Sequence, residues 1–79
     1  MFKELKEKLD ELKINYCNVA EDCITLDRDD KTRMVVIYDE KYNLCAYYIS
    51  NKTKDTIGIE DNIAELVISV ARYYEGEDT

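Results

Sequence analysis

The chain has 79 residues, a formal charge of −7, no histidine, no proline and two glycines. That length holds one domain, residues 1–79, near the lower limit for folding without staples. Without histidine the commonest general base and metal ligand is gone. Gly58 and Gly76 alone cannot build a phosphate loop, and neither serine, Ser50 or Ser69, has a base within obvious reach. We therefore expect a non-enzymatic protein with no catalytic, cofactor-binding or metal-binding residues.

Hydrophobic residues make up 46% of the chain, enough for a core. No apolar run approaches a bilayer span, and the charged N-terminus lacks a signal peptide's apolar stretch, so a cytoplasmic location is expected. Three cysteines, Cys17, Cys23 and Cys45, form no C-x-x-C pair, so reduced thiols are expected. The first 13 residues carry four lysines and four acids; the rest carry seven basic residues against fourteen acidic ones. Such a surface disfavours nucleic acid and membranes and favours a protein partner with a basic surface.

In chain order, Phe2, Leu5, Leu9 and Leu12 recur at helical spacing, predicting an amphipathic helix over about 2–13. β-branched and aromatic runs then predict strands at Ile14–Val19, Cys23–Asp27, Thr32–Tyr38 and Leu44–Ser50. The short polar breaks between them suit hairpins, and hence an antiparallel meander. Residues 51–60 read either as a loop or as carrying a further strand at 56–59. Asp61 is the expected N-cap of a second helix over about 62–75, with Ile63, Leu66, Val67, Val70, Ala71 and Tyr74 on its apolar stripe. Gly76 is the expected C′ residue, opening a frayed tail over 76–79. The fold class is α+β: an N-terminal helix, an antiparallel meander of three to five strands and a C-terminal helix on the sheet. Asp27-Arg28-Asp29-Asp30 fails as a calcium loop, since Thr32 stands where glycine is required. Asn51-Lys52-Thr53 matches a glycosylation sequon that a non-secreted chain would not use.

Two features remain. Seven tyrosines against one phenylalanine suit half-exposed and interface positions. Both sides of the central strands are apolar, so two helices on one sheet face would leave the other partly bare. Val35, Ile37, Tyr47 and Ile49, or the opposite set, are candidates for a self-association face. The second feature is charge placement. Alternate turns of a meander share one end of the sheet, which gathers Glu21, Asp22, Asp39 and Glu40, with Tyr42 as an aromatic anchor. If 51–60 is a loop, Glu75, Glu77 and Asp78 join them; if it carries a strand, Glu60, Asp61 and Glu65 do.

The outline of a leading helix (Leu5, Leu9, Leu12), a hairpin-linked sheet (Met34–Tyr38, Leu44–Ser50), acidic turns and a closing helix (Ile63–Tyr74) resembles small acidic phage-encoded inhibitors of the anti-CRISPR, DNA-mimic type. That resemblance implies a protein inhibitor whose carboxylates occupy the basic, nucleic-acid-binding groove of a partner such as a host defence nuclease. The alternative is a structural or regulatory module that forms a homodimer through the apolar, tyrosine-containing sheet face.

Overall fold

A computed structural model describes residues 1–29, 31–51 and 54–76. The order is α1 (Phe2–Glu11), β1 (Cys17–Ala20), β2 (Cys23–Asp29), β3 (Thr32–Asp39), β4 (Leu44–Ser50), β5 (Asp55–Glu60) and α2 (Ile63–Glu75). The five strands pair antiparallel in chain order, so the sheet is a simple meander with β1 and β5 at its edges. The segment 51–60 thus resolves in favour of a strand, paired with β4 from Ser50↔Asp55 to Cys45↔Glu60, and the Asn51 amide donates to the Lys54 carbonyl (3.1 Å).

α1 is shorter than its apolar spacing suggests. Lys13 takes a left-handed φ of 58°, and the Ile14 amide reaches back to the Leu9 carbonyl at 2.9 Å. That six-to-one bond ends the helix in a Schellman-type cap. Leu12 falls off the buried stripe, and Ile14 turns into the core instead of starting β1. The first strand therefore begins at Cys17. Asn62, not Asp61, caps α2, its side chain accepting from the amides of Ala64 (2.8 Å) and Glu65 (3.3 Å). Gly76 closes α2 at φ 94°. The tail 77–79 lies outside the described residues.

Both helices start at the end of the sheet that carries the β1–β2 and β3–β4 turns, and they contact each other. Phe2, Leu5 and Leu9 from α1 and Leu66, Val70 and Tyr73 from α2 bury against Ile24, Leu26, Met34, Val36, Cys45 and Ile49. At the start of α1 the Phe2 ring stacks on Tyr38 at 5.8 Å.

At the far end Tyr73, one residue before the expected Tyr74, enters the core completely, while Tyr74 is left exposed. Its hydroxyl donates to the Leu26 carbonyl, with the Thr32 carbonyl 3.2 Å away, and accepts from the Arg28 amide at 3.1 Å. Arg28 returns a guanidinium bond to the Tyr73 carbonyl at 2.8 Å and lies over its ring at 5.3 Å. The end of α2 is thereby bonded to the β2–β3 hairpin. Burial pushes the Tyr73 pKa up.

Tyr73→Phe keeps the ring but leaves these backbone groups short of a partner, so it should cost about 1–3 kcal/mol in denaturant unfolding. The Cys45 thiol, fully buried, is pushed up from 9.0 to about 11 by desolvation. Its folded pKa exceeds its unfolded one, so its contribution is intact below pH 9 and lost as pH rises through about 11. Denaturant melts across that window should show the decline, and Cys45→Ala should make it shallower, the raised Tyr73 phenol contributing the remainder.

Candidate functional site

Among the described residues, nothing covers the sheet face opposite the helices. Strand pairing sets its side chains in cross-strand rows. One row runs Cys17, Thr25, Val35, Tyr48, Ile57 and the next Ala20, Cys23, Ile37, Ala46, Ile59. A polar row of Asp27, Arg33, Ser50 and Asp55 borders them at one end. Within the apolar rows Ile57 is 74% exposed, Ile59 65%, Ile37 50% and Tyr48 38%. Contiguous apolar surface of this kind, framed by polar residues, makes this face the candidate interaction site.

The polar row is internally organised. Arg33 grips Asp27 with two bonds, 2.6 and 3.1 Å, and these hold the Asp27 carboxyl below its usual range. A hydrogen bond to Asp55 raises the Tyr48 phenol pKa.

Val35 and Ile37 do lie on the open face, but Tyr47 and Ile49 do not. They point at the helices, where Ile49 is buried and Tyr47 packs against the core. The reason is one residue of register. A five-residue connection over 39–43 would set Val35 opposite Tyr47; the observed pairing of Asp39 with Leu44 sets it opposite Tyr48. A slip of one residue moves every side chain to the other face. The shorter loop is built by Asp39, whose carboxylate accepts from the Lys41 (3.0 Å) and Tyr42 (3.4 Å) amides, and by Asn43 at φ 50°. An aspartate and a left-handed asparagine bracketing the turn were the available signal. Ile57 and Ile59 were missed because 51–60 has no unambiguous pattern.

The acidic end is also assembled, with a change of content. Glu21, Asp22, Asp39 and Glu40 share one end, and β5 delivers Glu60 and Asp61 to it, with Glu65 in the first turn of α2. Glu75 ends α2 at the opposite end beside the β2–β3 hairpin; Glu77 and Asp78 lie outside the described residues. Lysines dilute the cluster more than the sequence shows. The start of α1 brings Lys3 and Lys6 into an open cleft with Phe2, Glu21, Asp22 and Glu40. Lys41 also lies at this end, its ammonium 5.2 Å from the exposed Tyr42 ring. Asp39 is committed to its turn.

Cys17 is exposed, Cys23 half-buried and Cys45 buried. Among the described residues no group of three or more Cys, Asp or Glu is placed to hold a metal, and no helix is long and apolar enough to cross a membrane. No protein-family model matches the chain, and no curated protein or solved structure matches it either.

Tyr47 has a structural task. Its ring lies across Gly58 on the neighbouring strand, where an added Cβ would fall inside the ring. Gly58→Val should displace Tyr47 and cost about 1–3 kcal/mol in urea unfolding, whereas Ile57→Thr, at the 74% exposed position on the open face, should leave stability within about 0.5 kcal/mol.

Proposed function

We propose that this chain is a non-enzymatic protein-binding inhibitor that docks its open sheet face, edged by the acidic end, on a partner with an apolar centre and a basic rim. The observation that carries this reading is the pair of uncovered apolar rows that expose Ile37, Ile57 and Ile59. The acids beside them, Asp22, Asp39, Glu40 and Asp61, supply the charge that a basic partner complements. An interface of this anatomy takes its energy from the desolvated centre and its selectivity and association rate from the rim. The DNA-binding groove of a nuclease is the first partner class to test, because carboxylates standing in for phosphates make the same charge-assisted bonds with arginine and lysine.

Stacking two copies face to face would bury the same rows, but it brings together two chains of formal charge −7. A basic partner suits the face better.

Affinity capture from host lysate separates the contributions. Ile37→Lys and Ile59→Lys should each abolish retention of a partner held by the parent chain, without changing its melting temperature. Neutralising Glu21, Asp22, Asp39 and Glu40 together should weaken retention, and bound partner should elute as salt rises past about 0.2 M. Retention indifferent both to salt and to the isoleucine substitutions would rule the reading out.

A further inference from the structure

The two edges of the sheet are not alike. β1 is four residues long and its register breaks between Asn18 and Ala20, so it is protected as natural edges usually are, by shortness and a bulge. β5 has six residues in unbroken register with β4, and its central run Thr56-Ile57-Gly58-Ile59 carries no charge and no proline. It is an edge without a guard.

The hydrogen-bond phase of that edge follows from the ladder. Tyr38 donates to the Asp22 carbonyl at 2.8 Å. Alternation across the antiparallel pairs then assigns Thr56, Gly58 and Glu60 to bonding with β4. The Asn51–Lys54 bond at the β4–β5 turn gives the same phase independently. The amides and carbonyls of Asp55, Ile57 and Ile59 therefore point outward along the free edge.

We infer that β5 pairs antiparallel with β5 of a second copy about a two-fold axis through Ile57. Only outward-pointing residues can bond across the edge, and the register centred on Ile57 uses all three. Ile57 meets its own counterpart, and Asp55 and Ile59 meet each other twice. The same register sets Lys54 opposite Glu60 of the second copy on the helix side, twice, at the closer non-hydrogen-bonded spacing. Unlike charges opposite one another favour this alignment. The antiparallel sense also sends the two acidic ends to opposite extremes of a ten-stranded sheet, which keeps most of the excess charge apart. Asp55, the residue that meets an isoleucine, already has its carboxylate bonded to Tyr48. The open faces of both copies remain uncovered and become one continuous surface, so this contact is independent of the partner proposed above.

Sedimentation equilibrium of the full chain, from about 5 µM to about 1 mM, tests this. The parent chain should dimerise within that range. Ile57→Pro removes an amide that β4 does not use and should weaken the dimer at least about tenfold. Lys54→Glu alone should weaken it similarly, and the double variant Lys54→Glu/Glu60→Lys should restore it, a rescue that a folding defect cannot imitate. Ile37→Lys, which removes partner binding at the open face, should leave the dimer intact. A chain monomeric throughout, a dimer indifferent to Ile57→Pro, or a double variant that fails to restore association would overturn the inference.

Discussion

Both helices begin at the same end of the sheet and lie against the same face, and most of the molecule's other properties follow from that arrangement. Two separate contacts hold it. The Phe2 ring stacks on Tyr38 at the start of α1, and the Tyr73 hydroxyl enters the β2–β3 hairpin at the end of α2. With α1 and α2 in mutual contact, the helix side is closed, and among the described residues its buried side-chain polar atoms are paired. The other side keeps two apolar cross-strand rows beside its polar one. A sheet with one wet face ordinarily alternates polar with apolar residues along each strand. Here the central strands do not, and the cost of wetting Ile37, Ile57 and Ile59 is left standing in the free chain.

The elements were largely legible in the residues, and the faces were not. Helical spacing located both helices because Leu5, Leu9, Leu66 and Val70 repeat with the right period and bury completely. Strand positions followed from β-branched and aromatic runs between polar breaks. Which side each strand shows depends on whether a loop holds four residues or five. That was decided by the Asp39 carboxylate and the left-handed Asn43, features that propensity does not weigh. Hence Tyr47 and Ile49 were grouped with Val35 and Ile37, although β3 and β4 were each placed to within one residue. The same limit applies at Tyr73 and Tyr74, adjacent and chemically identical. Only the carbonyls of Leu26 and Thr32 decide between them.

Charge shows a similar division between what a chain pattern holds and what folding adds. Meander topology was enough to gather Glu21, Asp22, Asp39 and Glu40. It did not show that an N-terminal segment neutral over residues 1–13 would bring Lys3 and Lys6 into the same cleft. Two helix N-termini at this end add partial positive charge. The carboxylates are therefore less self-repelling than their number implies, which lets the fold tolerate them. It also weakens an account in which acidity alone attracts a partner. The apolar rows then become the part of the surface that a basic but otherwise unrelated protein could not satisfy.

The two sheet edges carry the argument one step further. A chain that only needed to remain monomeric could have placed a lysine or proline at position 57, since its amide does not serve the fold. Instead β5 has isoleucines at 57 and 59 around a glycine that Tyr47 covers from the helix side. The ring shields Gly58 on one face while the backbone of its neighbours stays open at the edge, and the strand stays in unbroken register with β4. An edge uncharged over Thr56–Ile59 and adjoining an uncovered apolar face extends that face when it pairs, and does not bury it. In this geometry, self-association and partner binding use different atoms of the same strand: the backbone of β5 for one, its isoleucine side chains for the other.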